Sequence, residues 1–136
     1  MFNRIIYEGE LQEEPSATIA AFLVSIVKYL HKNKVVVRNL RPEVIMFEEA
    51  DVKSEDVRLI DLSLAIDASD FRVGKPDLLF HEYSKMLPVF RAPEILNSEC
   101  AAFENGNDVW SLGCICYNMV TGIPPFFDEE VENLKI

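Results

Sequence analysis

Between Val109 and Phe127 the chain carries no Asp, Glu, Lys or Arg. A run of that kind either crosses a membrane or sits in a core. Gly122, Pro124 and Pro125 cut it short, and what remains falls below the ~20 apolar residues that a spanning helix needs. The run therefore predicts a core helix over 108–121, with Asp108 as its N-cap and Gly122 as its stop. Its side chains are apolar nearly all round (Val109, Trp110, Leu112, Ile115, Tyr117, Met119, Val120). Such a helix requires other elements packed on several of its sides.

A second helix is predicted over 16–32. Ile19, Phe22, Leu23, Ile26, Val27 and Leu30 recur at i, i+3, i+4 and form one apolar face. Ser16 is its expected N-cap. Lys28 and Lys32 lie toward its C-terminal end, where the helix dipole favours cations. VVV at 35–37 and VIMF at 44–47 read as short strands on either side of a polar turn containing Pro42. VRLIDL at 57–62 reads as a further strand, and the polar linker between 47 and 57 suits a hairpin. From Ser63 to Leu87 the periodicity fades, which predicts a long irregular loop of the functional or mobile kind. Pro93 is placed to open a brief helix. With 136 residues the chain has the length of one domain.

The 13 basic residues against 23 acidic ones leave a net charge of -10. That excludes nucleic acid and anionic membrane as main partners, because phosphate binding needs a basic surface. The acidic runs at 8–14, 48–56 and 128–132 read as solvated surface. The run at 48–56 lacks the central Gly and the ligand spacing of a calcium loop. Cys100, Cys114 and Cys116 have no CxxC spacing and only His31 and His81 beside them. They read as buried free thiols in a reducing compartment. The start, MFNRIIYEGE, turns acidic too soon for a signal peptide. A cytoplasmic location is the expectation that follows.

Three segments fall in a recognisable order: YLHKNKVVVRNLRPEVIMF (29–47), VRLIDLSLA (57–65), and FRAPEIL with DVWSLGCICYNMVTGIPPF (90–126). Together they resemble the C-terminal lobe of a eukaryotic Ser/Thr protein kinase. The PPF ending is most similar to the calcium/calmodulin-dependent kinase group. The resemblance runs from Tyr7-Glu8-Gly9-Glu10-Leu11 to the end of the chain. It implies a mainly α fold with short β-hairpins, a kinase-like C-terminal lobe truncated at both ends. Residues 1–136 would form a single partial domain with its N-lobe absent. Its parts would be a catalytic-loop region at 35–47, an activation-segment region at 61–94 and a core helix at 108–121.

The kinase signature H-R-D-L-x-x-x-N, then D-F-G, then A-P-E maps here onto Val37-Arg38-Asn39-Leu40-Arg41-Pro42-Glu43-Val44, Asp61-Leu62-Ser63 and Ala92-Pro93-Glu94. The resemblance implies that Asn39 stands where the catalytic Asp would be. A carboxamide orients a hydroxyl but is no base, and a positioned base is worth roughly 10²–10⁴ in rate. Arg41 stands for the catalytic-loop Lys and keeps its charge without the compact ammonium. Val44 stands for the magnesium-binding Asn and offers no oxygen. Asp61 keeps the magnesium-binding carboxylate of the pattern as a vestigial ligand, or is a surface or turn-capping Asp. Leu62 would fill the apolar slot of the Phe. By the same resemblance Arg38 would pair with a phosphorylated activation loop, with Ser69, Tyr83 and Ser84 as acceptors. Glu94 would pair with an Arg that this sequence does not contain, and Asp108 would cap the backbone of the catalytic loop.

No G-x-G-x-x-G occurs among the glycines at 9, 74, 106, 113 and 122, and 28 residues precede the YLH segment. Phosphoryl transfer relies on such a loop and on a strand-borne Lys. The expectation is therefore a catalytically inactive pseudokinase fragment, not an enzyme, that serves as a protein-interaction or scaffold module. No cofactor is expected, ATP and magnesium being implied by the family alone, and the partner would be another protein. The alternative is a fragment of a Ser/Thr kinase that transfers the ATP γ-phosphate to protein hydroxyls.

Overall fold

In a computed structural model the residues described are 1–47, 57–69, 88–97 and 105–127. Chain order runs through α1 (Phe2–Glu8), α2 (Glu13–Lys32), β1 (Val35–Val36), a 3-10 turn (Pro42–Val44) and β2 (Ile45–Phe47). It continues through β3 (Val57–Leu59), β4 (Ile66–Asp67), a second 3-10 turn (Pro88–Phe90), α3 (Pro93–Asn97) and α4 (Gly106–Thr121). The strands form two small antiparallel sheets. β1 pairs with β4 through Val35–Asp67 and Val36–Ile66. β2 pairs with β3 through Ile45–Leu59, Met46–Arg58 and Phe47–Val57. Helices with small antiparallel sheets are thus the observed architecture.

The core is built where α2 lies against α4. Ile19, Leu23 and Val27 of α2 and Leu112, Ile115 and Met119 of α4 belong to one buried apolar cluster, together with Val37, Leu40, Val44, Ile45 and Val57. Burying each Leu or Ile there stabilises the fold by about 1.5–3 kcal/mol relative to exposure. The apolar face read for α2 is the buried one: Ile19, Leu23 and Val27 are buried, and Phe22, Ile26 and Leu30 half-buried. Leu11 ties the approach to α2 onto the end of α4, its N–H donating to Met119 O at 2.7 Å.

Several expected boundaries move. α2 begins at Glu13 with Gln12 as N-cap, so Ser16 lies inside the helix, buried and with its Oγ unpartnered. The polar first turn, Glu13-Glu14-Pro15, hides this start from an apolar pattern. Its acids suit the helix dipole, and Pro15 occupies a position whose N–H has no helical acceptor. α4 likewise begins at Gly106 rather than Asp108, and Asn105 is its N-cap. α4 leaves Val109, Tyr117 and Val120 exposed. Its end is as expected: Gly122 adopts φ 76°, a left-handed value, and its N–H donates to Asn118 O.

β1 stops at Val36 because the N–H of Val37 turns away to a side chain, and Val44 belongs to the 3-10 turn rather than to β2. β3 ends at Leu59, short of the strand expected to 62. The presumed irregular loop after Ser63 contains β4, while its stretch at 70–87 lies outside the described residues. α3 opens at Pro93 as expected. Among the described residues no helix is long and apolar enough to cross a membrane.

Candidate functional site

The turn between β1 and β2 is held from beneath by one carboxylate. Asp108, in the first turn of α4, is fully buried. Its Oδ2 accepts the N–H of Val37 at 2.9 Å and its Oδ1 accepts the N–H of Arg38 at 2.8 Å. His31, at the end of α2, donates from Nε2 to the same Oδ2 at 2.7 Å. Three elements are joined at a single side chain. Asp108 therefore holds this turn through two backbone N–H groups and does not cap its own helix.

Arg38 takes φ 63°, a left-handed conformation that favours glycine. It persists because the peptide group is gripped on both sides. Asp108 holds the N–H of Arg38, and the Nη1 of Arg91 donates to its carbonyl. The Arg38 side chain is buried and its Nε donates to Leu64 O at 2.6 Å, which ties the loop to the segment before β4.

Asn39 is 4 % exposed and its Oδ1 accepts from Arg91 Nη2 at 3.3 Å. Arg91 is itself buried, and its own N–H is fixed to Pro88 O. Burial pushes the Arg91 guanidinium down to about 10, with the positive charges of Arg41 and Arg38 adding to the effect and Asp108 opposing it. Arg41 lies half-buried beside Glu43, its Nε 4.0 Å from Glu43 Oε2. That separation is an ionic contact without a hydrogen bond. Leu40, Pro42 and Val44 point into the core and anchor the turn by apolar contact.

Asp61 and Ser63 form a small turn of their own. The N–H of Ser63 donates to Asp61 Oδ1 at 2.9 Å, and the Ser63 hydroxyl and backbone together hold the Asp61 carboxyl below its ordinary value. Of the two readings of Asp61 the geometry matches the turn-capping one. Leu62 is exposed and fills no apolar slot, which corrects the expectation for it. Glu94 is exposed on α3, so no unpaired carboxylate is buried there. Ser69 bonds back to Asp67 Oδ1 through both its N–H and its hydroxyl, while Tyr83 and Ser84 lie outside the described residues.

A magnesium ion is poorly matched to this set. Val44 is buried and offers only hydrocarbon, and Asp61 already serves Ser63. Among the described residues no three His, Cys, Asp or Glu side chains come together as a metal site. Cys114 is a buried free thiol and Cys116 a half-buried one, and burial raises both, Cys114 to about 11. Cys100 lies outside the described residues.

Two residues of the site were not singled out from the sequence. His31 was weighed only as a metal ligand, and Arg91 was read only as part of the segment before Ala92-Pro93-Glu94. The signal for each was positional: a polar residue next to an apolar run, where burial needs a partner.

Comparison with known proteins bears on the whole chain. A family profile described as Protein kinase domain matches residues 1–136. The chain is 32% identical over 128 residues to "Serine/threonine-protein kinase fused" of Drosophila melanogaster, covering 94% of this chain and 14% of that protein. It is 31% identical over 134 residues to "Calcium-dependent protein kinase 24" of Arabidopsis thaliana, covering 98% of this chain and 21% of that one. It is also 31% identical over 135 residues to "Calcium/calmodulin-dependent protein kinase type 1" of Caenorhabditis briggsae, covering 98% and 35% respectively. The chain thus spans a minor part of the length of these relatives. The expectation that it stands outside the enzymes is corrected by these matches. They point to an enzyme family, the protein kinases, and nothing in them shows inactivity. With the profile matched over residues 1–136, this chain belongs to the protein kinase domain family.

Proposed function

We propose that this chain is the C-terminal, catalytic-loop lobe of a Ser/Thr protein kinase domain of the calcium/calmodulin-dependent type. Within it, residues 35–47 are the catalytic-loop region, 61–94 the activation-segment region and 108–121 the core helix. The observation that carries the reading is the grip of buried Asp108 on the N–H groups of Val37 and Arg38. It keeps the loop in a fixed path, and phosphoryl transfer depends on positioning and charge more than on covalent chemistry. In this reading Arg41 supplies positive charge to the transferred phosphate, and Asn39 faces the acceptor hydroxyl. Bound ATP would bring the phosphoryl group itself. No step is assigned to magnesium, because the side chains at 44 and 61 do not fit it.

With a carboxamide in place of the base, transfer is expected at roughly 10²–10⁴ below that of a domain with a carboxylate there. The test is single-turnover transfer of label from ATP-magnesium to generic acceptor proteins. Slow transfer that disappears in Arg41→Ala is expected. No transfer, or transfer indifferent to Arg41→Ala, overturns the reading.

A second reading, a protein-interaction or scaffold module that acts through another protein, rests on Val44, whose buried hydrocarbon replaces a metal ligand. Thermal shift separates the two. Stabilisation of about 2.7 kcal/mol at a hundredfold excess of ATP-magnesium over its dissociation constant supports transfer. No shift at millimolar nucleotide supports the scaffold.

A further inference from the structure

Arg91 reaches two consecutive residues of the catalytic loop at once. Nη1 donates to the Arg38 carbonyl and Nη2 to Asn39 Oδ1. A guanidinium has donors only, so it fixes which end of the Asn39 amide faces it. The oxygen points to Arg91, and the amide nitrogen is the end left for an incoming group. Among the described residues Asn39 Nδ2 makes no hydrogen bond. Position 39 is therefore a donor toward whatever enters, which is the reverse of what a general base offers.

We infer that Arg91 is a positioning residue of the catalytic loop: it sets the group at position 39 as a donor, and it would hold an acid placed there in its charged, non-basic form. This rests on the reading of residues 37–44 as a catalytic loop, and it concerns specificity within that loop. A hydroxyl that accepts from Nδ2 keeps its own proton, whereas a phosphate oxygen is matched by both Asn39 and Arg41. The same contact means that restoring a carboxylate by Asn39→Asp does not restore a base, because the new acid pairs with Arg91.

Among the described residues, several charged groups lie around position 39. Arg38 and Arg41 come from its own loop, Arg91 from the segment before α3, and Asp108 from α4 with His31 of α2 on its Oδ2. Glu43 lies against Arg41. Asp61 also faces Arg41 electrostatically, but it is held in its own turn by Ser63, and Asp108 is already engaged by two backbone N–H groups. A carboxylate at 39 thus enters a positive field.

The experiment is a carbon-detected NMR titration of the introduced carboxyl in three versions of the chain: Asn39→Asp, Asn39→Asp with Arg91→Lys, and Asn39→Asp with Arg91→Met. The first is expected to titrate at least tenfold more strongly as an acid than an ordinary Asp of about 3.9. The Lys version keeps part of that strengthening, and the Met version loses it. Titration at or above 3.9 with Arg91 in place overturns the inference, as does a value unmoved by Arg91→Met. Should the Met version fail to fold, the single variant decides alone, since it retains both groups. The titration needs no catalysis, so its failure is distinct from failure of the kinase reading. If transfer is measurable, Asn39→Asp raises it less than tenfold, and a gain of a hundredfold counts against the role given to Arg91.

Discussion

Replacing Asp108 by Ala tests whether the loop is held from the core. The carboxylate accepts two backbone N–H groups, those of Val37 and Arg38, in a place where it is fully buried itself. Val37 and Arg38 are buried too, at 0% and 4% exposure, so water reaches neither N–H readily. An orphaned buried donor costs about 1–3 kcal/mol. Two of them give about 2–6 kcal/mol, and Arg38 at φ 63° adds strain that the lost bond no longer offsets. His31 contributes little, because its side chain keeps 14% exposure and water can replace its partner. The expected loss is therefore about 4 kcal/mol, a large share of the 5–15 kcal/mol typical of a domain. Urea denaturation at neutral pH, followed by far-ultraviolet circular dichroism and Trp110 fluorescence, measures it. With an m-value near 1.5 kcal/mol/M the midpoint falls by roughly 2–3 M. His31→Ala should lose no more than about 1 kcal/mol in the same assay. A loss below 1 kcal/mol for Asp108→Ala would refute the reasoning, since both N–H groups would then have found other acceptors.

Leu23→Ala, at a fully buried site between α2 and α4, is expected to lose about 2–5 kcal/mol in the same denaturation assay. Gly122→Ala should cost about 1 kcal/mol through its φ of 76° alone. An added Cβ would meet nothing nearer than Glu10 N at 3.7 Å, so a much larger loss would point to a missed clash. Asp61 is held below its ordinary 3.8 by Ser63. A depressed carboxyl contributes stability that is present above 3.8 and is lost as pH falls through the lower folded value. Asp61→Asn should therefore lower the melting temperature slightly at neutral pH and converge with the parent in acid; a gap that widens in acid contradicts the turn. Cys114, raised to about 11 by burial, should resist thiol reagents at pH 8 until the chain unfolds, and rapid labelling of the native protein, mapped by mass spectrometry, would contradict that burial.

The large apolar elements were legible because burial leaves a period in the sequence. The face of α2 from Ile19 to Leu30 is marked at every turn, and Gly122 marks the end of α4 by its backbone alone. What was not legible was governed by polar side chains acting at a distance. Ser16 looked like a cap because caps are recognised locally, yet Glu13 and Glu14 start the helix through the dipole. The local pattern made Asp108 the cap of its own helix for the same reason, and the family resemblance alone pointed to the loop 70 and 71 positions away that its carboxylate faces. α1, at seven residues, is too short for its period to stand out. Arg91 and Asn39 are 52 positions apart, and nothing local to either announces the other.

The same separation explains how this loop is held in its path. Asp108 binds the N–H groups of Val37 and Arg38, which every residue but proline carries, and Arg91 binds a backbone carbonyl. The path of the chain is thus fixed through atoms that do not depend on side-chain identity. Val37 and Val44 then contribute burial, and Asn39 contributes to the grip the oxygen that Arg91 takes. A loop gripped by its backbone at Val37 and Arg38 tolerates a change of side chain at 39 with little loss of shape, because Asn39 adds one 3.3 Å contact to that grip. Substitution at 39 should therefore have little effect on stability, whereas substitution at 108 should have a large one. Asn39→Ser should change the urea midpoint by less than Asp108→Asn does, since it disturbs one 3.3 Å contact to a side chain. Val44→Asn is the informative exception: it places an amide at a site 2% exposed and should cost about 1–3 kcal/mol through desolvation. In the proposed kinase reading, an Asn at 44 meant as a metal ligand would thus be opposed by the core packing around it.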